Sequence, residues 1–208
     1  MWGEIHMIKM ILASKNKHKL EEIREILKEM DVELISMDEA GLEDLVIIED
    51  GETFEENSMK KAVTVMEKTN TIALADDSGL EVDYLNGRPG IYSSRFAGEK
   101  ATDEDNNKKL LDMLAGVEFE KRTARFVSVI SVAFPDGRRL SVRGECEGII
   151  GLEKKGIDGF GYDPLFIVPE YNKTFAELGP EIKNKISHRA KALEKLRKEL
   201  KDFLGDNK

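Results

Sequence analysis

Cysteine occurs once in this 208-residue chain and glutamine not at all. The single thiol, Cys146, excludes an intrachain disulfide and any paired-cysteine metal knuckle, so it reads as a small core hydrophobe on a strand. The missing glutamine, beside plentiful Lys and Glu, is a composition shared with heat-adapted proteins. No apolar run approaches the roughly 20 residues a bilayer demands. Met1 to Met7 lacks the apolar core of a signal peptide. A cytoplasmic protein with no membrane partner is therefore expected. An excess of positive charge is lacking too: 32 Lys and Arg against 41 Asp and Glu leave a net charge of −9. That argues against coating a nucleic-acid polymer, and leaves room for a local basic pocket that takes one small polyanion. Repeats and low-complexity linkers are absent, and one domain over residues 1–208 is expected.

What is present alternates between strand and helix signals. Ile8 to Ala13 reads as a strand, Ser14 to Lys19 as a polar turn, and Leu20, Ile23, Ile26, Leu27 and Met30 recur at helical spacing. Val32 to Ile35 adds a short strand, completing a β-loop-α-β unit of the kind that pairs in parallel. An acidic linker, Glu49 to Glu52, leads into Thr53-Phe-Glu-Glu56, which has the capping-box form. The helix behind it should turn Met59, Ala62, Val63 and Met66 inward. Ile72 to Ala75 and Leu80 to Tyr84 read as strands, and Asn86 to Gly90 as a turn. Thr102 caps a helix that uses Leu110, Leu111 and Leu114 and stops at Gly116. Thr123 to Phe134 and Arg139 to Glu147, joined at Pro135-Asp-Gly137, form a long antiparallel hairpin. A glycine-rich loop, Gly156 to Pro164, precedes Leu165 to Val168. A last helix carries Leu193, Leu196, Leu200 and Phe203 on one face. The fold class is α/β: an elongated mixed sheet flanked by helices, with a parallel part and a hairpin-rich part.

Four constellations carry chemistry. The strand ending at Ala75 stops at Asp76-Asp77-Ser78-Gly79. In open α/β sheets ligands bind just past such strand ends. The pair reads two ways: as turn composition, or as a corner for Mg2+, which needs one or two carboxylates besides phosphate oxygens and water. Asp77 and Glu49 would supply those. Ser14-x-Asn16-x-x-Lys19, with Lys17, reads as a phosphate cradle at a helix start or as a solvated basic turn; it is not a P-loop. In Phe160-Gly-Tyr-Asp163 an aromatic between glycines suits stacking on a base; alternatively Phe160 and Tyr162 cover a core edge. In Ser187-His-Arg189, Ser187 looks like an N-cap. Arg189 shares the inward stripe of Leu193, Leu196 and Leu200, so it needs a buried partner, a structural carboxylate or a ligand oxygen. Lys183 lies just upstream, within reach of the same place if the chain turns back there. His188 taken alone reads as structural or exposed.

Ser14 to Lys19, Ala75 to Leu80, Gly87 to Tyr92, Gly159 to Pro164 and Ile186 to Arg189, in that order, resemble the signature segments of one family. It is the inosine triphosphate pyrophosphatases, also called non-standard purine NTP pyrophosphatases or XTP/dITP diphosphatases. The likeness runs from about Met10 to Leu200. It implies two lobes around a central nucleotide cleft, usually in a homodimer. It also implies Mg2+-dependent hydrolysis of ITP, dITP or XTP to the monophosphate and pyrophosphate. Carried over by position, phosphate binding falls on Ser14, Lys15, Asn16, Lys17, His18, Lys19 and Lys61. The metal ligand and general base falls on Asp77, with Ser78 alongside. The second metal acid falls on Glu49, with Glu52 as the alternative. Base recognition falls on Phe160, Gly161, Tyr162, Asp163, Lys183, His188 and Arg189. Two departures stand out: Ser14 where many members have Thr, and Lys15 where many have Gly, which makes the first turn less permissive.

Overall fold

The computed structural model describes residues 7–28 and 31–205. Residues 1–6, read above for a leader, and Met30 lie outside the described residues. The chain runs β1 (Ile8–Leu12), α1 (Lys17–Leu27), β2 (Val32–Ile35), α2 (Phe54–Thr69), β3 (Ala73–Val82), α3 (Asp103–Met113), β4 (Thr123–Ala133), β5 (Arg139–Ile150), β6 (Phe166–Val168), β7 (Lys173–Thr174), α4 (Phe175–Ile186) and α5 (His188–Gly205). The sheet has seven strands in the order β2-β1-β3-β4-β5-β6-β7. β1 pairs in parallel with β2 and β3, whereas β6 pairs antiparallel with β5 and β7. A mixed sheet with helices is thus what the alternating signals produce. No described helix is long and apolar enough to cross a membrane.

The chain divides into two compact units: residues 1–77, 129–144 and 192–208 form one, and 78–128 with 145–191 the other. The division falls inside β3, between Asp77 and Ser78.

In the first unit the two-residue period of the strands sorts side chains onto two cores. Met10, Leu12 and Leu74 pack with Ile23 and Leu27 of α1 and with Leu193, Leu196 and Leu200 of α5. Ile11, Ala13, Ala73 and Ala75 pack with Ala62 and Val65 of α2. The same alternation sends Asp76 to the side of Leu74 and Asp77 to the side of Ala75. In the second unit Leu80, Val82, Phe126, Phe166 and Phe175 pack with Leu110 and Leu114 of α3. Cys146, on β5, is buried in this core as expected.

Several elements differ from their sequence reading. β3 does not stop at the acids; it continues through Asp76 and Asp77 to Val82. The carboxylates stay inside the strand because each meets a lysine, which offsets part of the penalty for burying charge. The buried stripe of α2 is Phe54, Asn57, Ser58, Lys61, Ala62 and Val65, with Met59, Val63 and Met66 only partly covered. Polar residues enter this stripe because they have partners: Ser58 Oγ is 3.1 Å from the Ala75 carbonyl and 3.0 Å from that of Val129. The capping box at Thr53 is half made. Thr53 Oγ1 accepts the Glu56 N–H, but the Glu56 carboxylate takes the N–H of Glu52. α1 begins at Lys17, inside the expected turn. α4 forms where the apolar spacing predicts no helix, since Gly179 and Pro180 interrupt the helical period; Thr174-Phe-Ala-Glu177 makes a complete capping box at its start.

Candidate active site

The first cluster lies in the first unit. Asn16 caps α1 by accepting the Lys19 N–H at 3.1 Å, and Ser14 Oγ accepts the Asn16 N–H at 3.2 Å. Lys17, His18 and Lys19 therefore occupy the first helical turn, where backbone donors and the positive end of the helix favour an anion. Lys17 and His18 are exposed, and Lys15 donates from Nζ to the Glu43 carbonyl at 2.6 Å. Lys19 turns inward, 2.9 Å from the fully buried Asp76 carboxylate.

From the other face of the sheet, Lys61 reaches the same strand. It sits one turn beyond Ser58, whose hydroxyl seats α2 against Ala75. Lys61 Nζ lies 2.7 Å from Asp77 Oδ1 and 3.2 Å from Glu49 Oε2. Both lysines also donate to the Asp76 carbonyl, at 3.3 Å from Lys19 and 3.1 Å from Lys61. Asp76, which carried no assigned role, is thus the residue that brings the two ammonium groups together. Glu49, rather than Glu52, is the linker acid on Lys61.

Burial raises the Asp77 carboxyl. Lys61 and Lys19 oppose it, the Glu49 charge adds to it, and the result stays above the ordinary aspartate value. Burial also acts upward on Glu49, but Lys61, the Asp77 hydrogen bond and Lys19 outweigh it and hold Glu49 below its usual range. Burial works against the Lys61 charge, but Asp77, Glu49 and Asp76 prevail and raise it, so Lys61 is a cation at neutral pH.

Asp77 and Glu49 are adjacent hard oxygen donors of the kind Mg2+ takes. Among the described residues no three His, Cys, Asp or Glu side chains gather as a metal cage. Mg2+ does not require one, since it keeps waters and substrate phosphate oxygens in its shell. The donor set therefore fits the ion.

The second cluster lies in the second unit. Phe160 is flanked by Gly159 and Gly161, both at positive φ (80° and 60°). A Cβ on Gly159 would fall on the Asp163 carboxylate, so glycine there makes room for that acid. Asp163 Oδ2 accepts the Phe160 N–H at 2.9 Å and pairs with Lys183 Nζ at 2.6 Å. Lys183 stands 4.5 Å from the centre of the Phe160 ring, and the Arg189 guanidinium 5.9 Å from it, both within cation–π range.

Ser187 behaves as the N-cap of α5, accepting the Ala190 N–H at 3.2 Å. Arg189, 1 % exposed, donates from Nη2 to Ser78 Oγ at 3.0 Å. His188 is buried and stacks on Phe126, ring centres 4.8 Å apart. Phe160, Asp163, Lys183, Arg189 and Ser78 are thus brought together. Tyr162 is set apart from them: it belongs to the core, its hydroxyl donates to the Ser93 carbonyl at 2.8 Å, and burial drives its pKa upward. That is the core-edge alternative stated above for an aromatic in this loop.

Two residues escaped sequence reasoning, Asp103 and Asn107, which bond the backbone of Gly161 from 58 and 54 residues away. No local signal marks them beyond their place in the first turns of α3.

The dITP/XTP pyrophosphatase of Clostridium perfringens is 51 % identical over 95 % of this chain and all of its own length. That of Desulforamulus reducens is 54 % identical over 90 % of the chain and 93 % of its own length. The solved structure of a HAM1 protein from Coxiella burnetii superposes with a TM-score of 0.85 at 41 % identity, covering 94 % of this chain and all of that one. The sequence model of the Ham1 family matches residues 10–199, and on that extent of likeness the chain belongs to the Ham1 family.

Proposed function

We propose that this chain hydrolyses non-standard purine nucleoside triphosphates (dITP, ITP and XTP) to the monophosphate and pyrophosphate. Such an enzyme removes deaminated purines from the nucleotide pool. The observation that carries the reading is Asp77: a carboxylate buried in a strand, raised above its ordinary pKa by burial and paired with a buried lysine. Such a group is costly for a fold to maintain and is suited to general-base work near neutral pH. The names and the extent of the relatives support the reading.

Water attacks the α-phosphorus and the bond from that phosphorus to the bridging oxygen breaks, releasing pyrophosphate. Asp77 accepts the proton of the attacking water. Lys19 and Lys61 neutralise phosphate charge as it shifts. Ser14 and the first turn of α1, with Lys17 and His18, bind the outer phosphates. Mg2+ held by Asp77 and Glu49 would supply further positive charge to the phosphate oxygens. No protein nucleophile is needed, because phosphoryl transfer asks mainly for positioning and charge. Phe160 offers a ring face to the base. Lys183 and Arg189 beside it are donors suited to a 6-keto oxygen and would be left facing a donor in adenine. A cytoplasmic location and a homodimer belong to the same proposal.

The test is pyrophosphate release from dITP, ITP, XTP, GTP and ATP, with Mg2+ and with EDTA. The expected result is release from the first three, on the order of a hundredfold or more above ATP, abolished by EDTA. Orthophosphate as the primary product, or equal rates on ATP, would overturn it.

A further inference from the structure

We propose that Asp103 and Asn107 of α3 are positioning residues that aim Phe160 at the base; the role rests on the base-binding reading above. They lie at i and i+4, so both side chains leave the same face of α3. The helix start is rigid, because Thr102 and Asp105 exchange a complete capping box. Asp103 Oδ2 accepts the Gly161 N–H at 2.7 Å, and Asn107 Nδ2 donates to the Gly161 carbonyl at 2.8 Å. The same Nδ2 donates to the Asp103 carbonyl at 2.8 Å. Two carbonyl neighbours require nitrogen at that position and settle the orientation of the amide.

Both peptide planes flanking Gly161 are therefore held from α3. Glycine at φ 60° has no side chain to hold itself, and it is the residue type with the most freedom to lose. The Phe160 N–H is fixed separately, by Asp163. The peptides on either side of the Phe160 Cα are thus both pinned, one by Asp163 and one by Asp103. That fixes its φ and ψ, and with them the direction in which the Cα–Cβ bond carries the ring. A stacking ring gains its contact only when its plane is set beforehand. Asp103 and Asn107 touch neither base nor phosphate in this scheme; they act through Phe160.

The experiment compares Asp103→Ala, Asn107→Ala and Asp103→Asn with the parent chain in the pyrophosphate-release assay on ITP, with inosine monophosphate and pyrophosphate as inhibitors. Losing a charge-assisted bond should raise KM for ITP about tenfold, with kcat changed less than about threefold. The inhibition constant of inosine monophosphate should rise with KM, while that of pyrophosphate stays put. Asp103→Asn keeps an acceptor oxygen without the charge and should fall between the parent and Asp103→Ala. Asp103 is exposed, so its alanine variant carries the test if Asn107→Ala does not fold. An unchanged KM, or equal loss of affinity for both inhibitors, would overturn the positioning role. A parent chain that releases no pyrophosphate from ITP would instead overturn the reading on which this role rests.

Discussion

Lys61→Met removes the cation bonded to Asp77 and Glu49 and leaves the length of the stem nearly unchanged. The Lys61 and Asp77 side chains are only 8 % and 9 % exposed, and their charged atoms are 2.7 Å apart. At an effective dielectric of about 20 the gross attraction is about 6 kcal/mol. Desolvation of both partners cancels much of it, and breaking a buried pair costs roughly 3–5 kcal/mol. Lys19 still acts on Asp77, so the low end, about 3 kcal/mol, is expected at pH 7.5. For a chain of this size that lowers Tm by roughly 6–12 °C. The loss should depend on pH in a defined sense. The Lys61 pKa is raised above 10.5, so its contribution is complete below that value and lost only above it. The pH dependence therefore comes from its partners. Asp77, with a raised folded pKa, favours the fold below its unfolded value and loses that as pH rises through the folded value. Lys61 limits that loss, so without it the decline with rising pH is steeper. Glu49 is 37 % exposed and well screened, and adds little. At pH 4 the loss should be smaller than at pH 7.5, because protonation of Asp77, favoured by its raised pKa, removes the charge that Lys61 partners. Urea unfolding followed by circular dichroism at both pH values measures this. An equal loss at the two pH values would show that packing, not charge, holds Lys61, and the argument would fail.

Asp77→Asn should cut pyrophosphate release on the order of a thousandfold; turnover within tenfold of the parent would remove Asp77 from its role. Arg122 donates to the carbonyls of Ile150, Leu114 and Gly151 at 2.9, 3.1 and 2.7 Å and carries structure alone. Arg122→Met should therefore cost about 3 kcal/mol in urea unfolding and leave KM unchanged. Burial pushes the Cys146 thiol up to about 11. It should resist a thiol-specific disulfide reagent at pH 8 in the folded protein and react fully once unfolded.

Local signals agree with the fold where the chain talks to itself. The β1-α1-β2 start, the Thr102 cap of α3, the Ser187 cap of α5 and the hairpin at Pro135 to Gly137 all depend on neighbours a few residues apart. The departures from them share one cause. Asp76 and Asp77 look like a turn when read alone, because an unpaired carboxylate does not belong inside a strand; Lys19 and Lys61, 57 and 16 residues away, make the strand possible. The α2 stripe departs from its apolar spacing for the same reason, since Ser58 and Lys61 count as inward only once their partners on β3 are known.

The sequence by itself determined the alternation of strand and helix, the absence of disulfides, and the ordered motifs that marked the family. Periodicity, caps and composition act over short stretches of chain. Tertiary structure alone decided the pairings: Asp76 with Lys19, Asp77 with Lys61, Arg189 with Ser78 from 111 residues away, and the hold of α3 on Gly161. Those contacts arise because folding removes water from the charged groups. A buried charge must then find a partner wherever the fold brings one, and sequence spacing does not encode that place.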